Sequence, residues 1–347
     1  MRYYFEIVMK LAGAGVPAAL PRDVQFFLIA ERGILESQAL LLCESVRAFG
    51  GAYAKCPITV VSPRPSRRPC RETIRRLGRL QVEHVALNLE SPCPSYGPSY
   101  RILAAAYLER ESRSAVLVQL DSDTIFVGEP DFGLAGADAA ARPVDVKGMS
   151  TEGEGDAFDP YWRTLCRLLE VDYEAIPWIT TTVDRKTVRA NFNGGLLAVR
   201  PARGLFRRTA EFFLRLVRAQ HRPWAGCGTL VKSGTGMVNR EGSDYWGTSQ
   251  ATFSLSVTSL GGVMQILPPS YNVPLHSFDL LAPLPAPPVH VHYHWLCSAG
   301  ETDPNPLTDG RLNLAPAVRD WIRSRLPLRI PEPRGLERLV RSLLVQS

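Results

Sequence analysis

The chain has 347 residues, room for roughly two ordinary domains or one large α/β unit, and its 45% hydrophobic and 21% charged content excludes a disordered or collagen-like chain. The net charge of +6 comes from 40 basic and 34 acidic groups, and Lys stands only at 10, 55, 147, 186 and 232, so the basic set is almost all Arg. That excess fits phosphate recognition and coding bias equally, and no basic run is interleaved with aromatics, so no nucleic-acid partner is expected.

Met1 to Leu20 carries Glu6, Lys10 and Pro17, unlike the basic start and clean apolar run of a secretory leader. Within it Gly13-Ala14-Gly15-Val16-Pro17-Ala18 formally fits a dinucleotide fingerprint. Lys10 interrupts the strand such a motif needs, and Pro17 is awkward in its turn, so the segment reads as a loop. Val24 to Ala30 is a continuous apolar run of buried-strand length, followed by helical spacing over Ser37 to Phe49 that Gly50-Gly51 ends. Pro57 to Val61 reads as the next strand, Arg67 to Leu80 as a helix, Val82 to Leu87 as a strand, Tyr100 to Glu111 as a helix and Ala115 to Leu120 as a buried strand. This alternation predicts βαβ units and a mostly parallel, Rossmann-type sheet with helices on both faces.

Beyond Pro130 the pattern loosens. Gly148 to Asp159 and Gly226 to Asp244 are rich in glycine and polar residues and read as loops able to close over a ligand. Asn193 to Arg200 reads as a strand and Arg207 to Ala219 as a helix. Tyr245 to Phe278 is uncharged and long enough to span a bilayer, but its Ser, Thr, Gln and Pro residues exclude that. The tail from Arg319 to Ser347 has seven Arg, with Leu336, Leu339, Val340, Leu343 and Leu344 at helical spacing. It reads as a basic amphipathic helix that packs back on the domain or touches an anionic membrane peripherally. The expected division is an N-terminal segment 1–22, a catalytic domain 23–300 and an extension 301–347. Seven cysteines, at 43, 56, 70, 93, 166, 227 and 297, contain no C-x-x-C pair, which argues against a disulfide framework or zinc knuckle. A reduced, cytoplasmic protein is expected.

The sharpest chemical signal is Asp121-Ser122-Asp123 directly after the strand AVLVQL. Carboxylates at i and i+2 project to one side, and ligands of open α/β sheets sit at the carboxyl ends of strands. Such a pair invites Mg²⁺ or Mn²⁺ together with substrate phosphates, although an Asp pair capping a turn is about as common when no context is known. His290, His292 and His294 alternate along VHVHYHW; on one continuous strand they would share a face about 7 Å apart per step, so that one or two, not all three, reach a single ion.

In context, LVQLDSDTIFVGEP with the upstream helix SYRILAAAYLE resembles the core of GT-A glycosyltransferases, broadly family 8 and its relatives. NFNGGLLAVR (191–200), GTSQ (247–250), SYNVPLH (270–276) and VHVHYHW (289–295) resemble that family's later motifs, in order, from about residue 24 to 295. The resemblance implies a single GT-A-like α/β domain and a metal-dependent transferase that moves a sugar from a nucleotide diphosphate sugar, expected to be a UDP-sugar, to an acceptor hydroxyl. It implies that Asp121 meets the donor and, with Asp123 and His292, the metal (Mn²⁺ or Mg²⁺). His294 is the close rival of His292. Arg101, Asn193 and Gly194 would contact the donor, and the nucleotide base would rest near Ala30 and Glu31.

One departure stands out. The family has Asp or Glu before its Gln, whereas Ser249 precedes Gln250 here, and the nearest carboxylate is Asp244 on an expected loop. An inverting reaction would take Asp244 as base; a retaining one would leave Gln250 to orient the sugar or acceptor. Ala251 to Thr258 alternates with period two, as a strand does, yet the family has a helix there, and a helix is expected. Trp178, Tyr245 and Trp246 could form a sugar platform, with core packing the better reading for Trp178. Two other functions remain open. One is a sugar-phosphate nucleotidyltransferase, disfavoured because Glu31 to Glu36 holds one Gly and two acids where a triphosphate-gripping loop belongs. The other is a catalytically silent sugar-nucleotide-binding protein.

Overall fold

Residues 23–331 are described by the computed structural model, and the first half follows the expected alternation. It runs β1 (Val24–Ile29), α1 (Ile34–Phe49), β2 (Ile58–Ser62), α2 (Arg71–Arg79), β3 (Glu83–Ala86), α3 (Pro98–Glu111) and β4 (Val116–Leu120). Then come β5 (Thr124–Phe126), β6 (Ala139–Pro143), α4 (Asp159–Leu169), β7 (Trp178–Thr180), β8 (Thr187–Arg189), β9 (Phe192–Val199) and α5 (Leu205–Arg218). The remainder is β10 (Lys232–Ser233), β11 (Gly236–Met237), α6 (Arg240–Asp244), α7 (Thr248–Ser259), β12 (Met264–Ile266), β13 (Val273–Pro274), β14 (His290–His292), α8 (Pro306–Asp309) and α9 (Pro316–Arg323). The Gly13–Ala18 loop and the helix expected over Leu336 to Leu344 lie outside the described residues.

The central sheet has seven strands in the order β12-β6-β9-β4-β1-β2-β3. Strands β3, β2, β1 and β4 are mutually parallel, β12 is parallel to β6, and β9 runs antiparallel to both of its neighbours. Alternate side chains of the strands feed two cores. Phe27 and Leu117 face the core built with α3, α4, α5 and α7, while Phe26, Leu28, Val116 and Val118 face the one built with α1 and α2. The sheet is thus covered on both sides, as continuous apolar strands require. A separate three-stranded sheet, β13-β14-β5, carries a third core that residues Leu307, Leu312, Leu314, Ile322 and Leu328 complete. Among the described residues no helix is long and apolar enough to cross a membrane.

Two details differ from expectation. Helix α2 begins at Arg71 rather than Arg67, because Pro65 opens a short 3-10 turn and Pro69 disfavours helical geometry in the residue before it. The glycine-rich stretch after Gly226 is not all loop: it holds the β10–β11 hairpin and helix α6, whose Asn239 cap accepts from the Gly242 amide at 2.9 Å. Helix α7 forms as expected despite its strand-like alternation. Its hydroxyls fold back on carbonyls one turn earlier, Thr252 on Thr248 (2.8 Å), Ser254 on Gln250 (2.9 Å) and Ser256 on Thr252 (2.7 Å), so polar residues can be buried on a helix with no bare face.

Phe26 is fully buried between Phe126 and Phe132, with ring centroids 6.0 and 5.7 Å away and edge-on. Phe26→Ala should lower the unfolding free energy by about 3–5 kcal/mol in urea titration, and a loss below about 1 kcal/mol would show that this cluster does not hold the sheet.

Candidate active site

The site stands at the carboxyl end of β4. The Asp121 amide donates to the Gly195 carbonyl (3.0 Å), Thr124 Oγ1 donates to the Asp121 carbonyl (2.7 Å), and the chain then enters β5. Strand β5 pairs antiparallel with β14, setting Thr124 opposite His292, and the Tyr293 amide donates to the Asp123 carbonyl at 3.0 Å. This register brings His292 Nε2 to 3.4 Å from Asp123 Oδ1. Asp121, Asp123 and His292 each offer a ligand atom, and those atoms lie within 4.8 Å of one another. Two carboxylate oxygens and one imidazole nitrogen form a donor set that suits Mn²⁺, or Mg²⁺ with water and phosphate oxygens completing the shell.

The histidine row departs from the expected geometry. The strand ends at His292, and His294 takes a left-handed φ of 54°, which folds its ring onto that of His292 at 3.8 Å and 8°. The two rings therefore stack rather than standing 7 Å apart. His294 Nδ1 meets His276 Nδ1 at 3.1 Å, so one must donate while the other accepts, and this engagement favours His292 as the ligand. Burial pushes the His294 pKa well down and that of His276 to about 4, keeping both rings neutral. His290 is fully buried against Phe126, its ring nitrogens unpartnered, and takes no part in the acid cluster.

Arg101 is not a solvated helix residue. Its guanidinium pairs with Asp121 and approaches Ser249 Oγ at 3.5 Å, and burial lowers its pKa. Gly194 lies beneath it: a Cβ there would stand 2.7 Å from Nη2. Gly195 meets the same demand from the other side, because a Cβ would fall 2.5 Å from Asn272 Oδ1 and 2.6 Å from His292 Nδ1. Both side-chain atoms of Asn272 and Nδ1 of His292 are buried without partners, so this side of the site presents unused polar atoms. Arg101, Gln119, Gly194, Ser249 and Gln250 line one narrow cleft. Ser249 is held by the Tyr96 hydroxyl at 3.0 Å, in the position where the family's carboxylate was expected.

Other expected residues stand apart from the acid cluster. Ala30 is fully buried at the end of β1, and Glu31 is ion-paired with Arg64, whose Nε lies 2.7 Å away. Asp244 is not on a loop: it ends α6, and its carboxylate faces Arg222 at 3.6 Å. Tyr245 is buried beside Tyr96, and Trp246 stands edge-on to Tyr96 at 6.3 Å, so both belong to a core rather than a platform. Trp178 is instead 48% exposed at the start of β7, with Arg189 over its ring at 4.3 Å; the packed reading of it is corrected, because a two-strand hairpin offers no core on its outer side.

Sequence reasoning missed three participants. Gln38, fully buried on α1, accepts from Ser122 Oγ (3.1 Å) and donates to the Gly234 carbonyl (2.8 Å), tying the acid loop to the β10–β11 hairpin. Gly234 itself lies against the Asp123 carboxylate so closely that a Cβ would overlap it. The third is Asp145, just beyond β6, which accepts from Asn193 Nδ2 (2.9 Å) and Thr182 Oγ1 (3.2 Å). Its only sequence signal is a lone acid after a strand.

Burial raises the Asp145 pKa from 3.8 to about 6. The ionised form is therefore the one that costs the fold: no penalty exists below the unfolded value, it grows as pH rises through the interval, and it is complete above about 6. With chelator present, Asp145→Asn should gain stability over the parent between about pH 4 and pH 7, by up to about 3 kcal/mol, in urea midpoints measured across pH. A difference that stays flat across that range contradicts the burial argument.

The fold can be matched beyond this chain. A galactosyltransferase, LgtC, solved in complex with donor and acceptor sugar analogues, is 11% identical and superposes with a TM-score of 0.50, covering 89% of this chain and 98% of its own. Mouse xyloside xylosyltransferase 1 in its apo form is 11% identical with a TM-score of 0.43, over 78% of this chain and 97% of its own. No curated protein matches the chain. The LgtC likeness agrees with the GT-A architecture assembled above from strand order and the acid pair after β4. The family model described as the Rhodobacterales glycosyltransferase domain matches residues 26–226, the stretch that supplies β1 through α5 and both acids, and the chain belongs to that family as a glycosyltransferase.

Proposed function

We propose that the enzyme transfers a sugar from a nucleotide diphosphate sugar, a UDP-sugar being the expected donor, to an acceptor hydroxyl, with Mn²⁺ or Mg²⁺ held by Asp121, Asp123 and His292. The observation that carries this reading is the convergence of two carboxylates and a distant imidazole within 4.8 Å at the carboxyl edge of the sheet. When bound, the cation neutralises the negative charge that gathers on the diphosphate as the anomeric bond breaks. A unit charge pair 4 Å apart is worth roughly 4 kcal/mol at an effective dielectric of 20, so even a partly exposed site matters to the barrier.

The chain's own residues supply the rest. Arg101, paired with Asp121, keeps a fixed positive charge beside the acids and faces the donor. Asn193 has one amide proton on Asp145 and its oxygen on the Gly195 amide (2.9 Å), which fixes its orientation and leaves one N–H for a sugar hydroxyl. Gly194 lets the backbone approach the donor closely. Ala30 and Glu31 close the nucleotide end, with Arg64 holding Glu31 in place. Gln250 lines the Arg101 cleft and orients the reacting partners, while Asp244 faces Arg222, which favours the reading that needs no carboxylate base.

A hydrolysis screen over sugar nucleotides with Mn²⁺, Mg²⁺ or chelator tests this. One donor should be consumed only with metal, and Asp123→Ala should lower turnover by about a thousandfold or more while leaving the melting temperature near the parent value. Full activity in chelator, or an active Asp123→Ala enzyme, removes the metal from the mechanism. Metal-dependent binding of the donor with no turnover for any acceptor indicates a silent binding protein, and consumption of a sugar phosphate with a nucleoside triphosphate indicates a nucleotidyltransferase.

A further inference from the structure

The edge of the sheet that carries Asp121 continues into a surface rich in unpaired arginine. Strands β1, β2 and β4 are parallel, so the segments that follow them emerge on one side: Arg32 after β1, Arg64 to Arg71 after β2 and Asp121 after β4. The Arg32 amide donates to the Arg67 carbonyl at 2.7 Å, which sets the first two of these segments against each other. Glu36 on the first turn of α1 accepts from the Cys70 amide (2.8 Å) and Thr73 Oγ1 (2.7 Å), drawing the start of α2 to the same place. One residue further along α1, Ser37 Oγ donates to the Arg329 carbonyl at 2.6 Å, bringing Arg329 and Ile330 to this edge as well.

Arg32, Arg67, Arg68, Arg71 and Arg329 are all exposed, and none of their guanidinium groups makes an ion pair or hydrogen bond among the described residues. The nearby acids do not offset them. Glu31 and Glu36 are buried and engaged, Glu72 pairs with Arg75, and Glu90 beyond β3 is an exposed countercharge. Unpaired like charges held side by side by backbone contacts repel one another, so they are costly unless an external anion meets them. Residues 63–80 contain no aromatic side chain on which a base could stack, whereas Ile330 stands 59% exposed beside the arginines. Charge with an apolar contact and without stacking platforms matches a lipid surface better than a nucleic acid.

We infer that this rim, formed by Arg32, Arg67, Arg68, Arg71, Arg329 and Ile330, docks the enzyme on an anionic phospholipid bilayer. Docking there holds the acid pair, two strands away on the same edge and on the order of 10 Å off, close to acceptors carried at the bilayer surface. The inference does not depend on the proposed metal or donor, since it concerns residues outside that cluster.

The test is co-sedimentation of the full chain with vesicles of phosphatidylcholine alone or with one-third phosphatidylglycerol, at low and high salt. The parent should bind only the anionic vesicles and should be released by salt. Replacing Arg32, Arg67, Arg68 and Arg71 together by Gln should lower the partition coefficient by about a hundredfold or more. Replacing the same four by Lys should retain binding, as should Gln at Arg110, Arg113, Arg167 and Arg218, exposed arginines at or near the C-terminal ends of α3, α4 and α5. The inference is overturned by a parent that ignores anionic vesicles, by a Gln rim variant that binds as the parent does, by a Lys rim variant that does not bind, by a control variant that loses as much, or by a parent that binds single-stranded RNA in preference to vesicles. Because the Lys variant and the parent's salt dependence are read independently, misfolding of the Gln variant does not shield the inference.

Discussion

The antiparallel pairing of β5 with β14 is the constraint on which the site rests. Each strand has only three residues, yet their register sets Thr124 opposite His292 and lets the Tyr293 amide reach the Asp123 carbonyl. A slip of one residue would turn His292 to the opposite face, and the acid pair would lose its third donor. The pairing does not stand alone. Val291 and Ile125 are fully buried in a core that the chain's later residues, Leu307 to Leu328, complete, so segments remote from the chemistry fix the register that makes it possible.

The charges around this junction are compatible with a bound cation. Two acids converge with one arginine, while burial keeps His294 and His276 neutral and able to crowd around His292 without repulsion. Asp145 adds a further acid behind Asn193, raised by burial and moderated by the hydrogen bonds it accepts. Arg101 thus has two tasks: it offsets Asp121, and it lies over Gly194 where no side chain is tolerated. Glycines 194 and 195 are needed for opposite reasons, one to admit Arg101 and the other to admit His292 and Asn272.

Much of this was legible because its signals are local. The buried strands read as apolar runs, α1 and α3 as periodic helices, and the acid pair as an interruption at the end of the apolar strand β4. The order of five weak motifs fixed the family resemblance and, through it, His292. What was not legible depends on contacts between distant segments or on elements too short to show a period. Strands β5, β13 and β14 have two or three residues each, so the small sheet left no pattern, and the left-handed turn at His294 could not be seen in an alternating row. Gln38 read only as part of an amphipathic helix, because its partners Ser122 and Gly234 come from elsewhere in the chain. Helix α7 was the opposite case: its period alone points to a strand, since hydroxyls bonded to their own helix count as polar in a pattern but not in a core, and only the family resemblance gave the helix that forms.

The glycine-rich segment after Gly226 shows how composition and geometry can be confused. Its glycines suggested slack, but Gly234 sits where a Cβ would overlap the Asp123 carboxylate, so at that position glycine is a requirement of close approach. The hairpin around it has only two ladder pairs, too few to be stable alone, and it is fastened at both sides. Gln38 holds the Gly234 carbonyl from the sheet side, and Lys232 reaches Glu301 at 3.0 Å while lying over Trp295 at 4.6 Å. Those anchors link the hairpin to the acid loop through Ser122 and to the chain just beyond His294. The hairpin, the acid loop and the histidine strand are therefore coupled through three short contacts, and a change in the position of any one is felt at the Asp123 carboxylate.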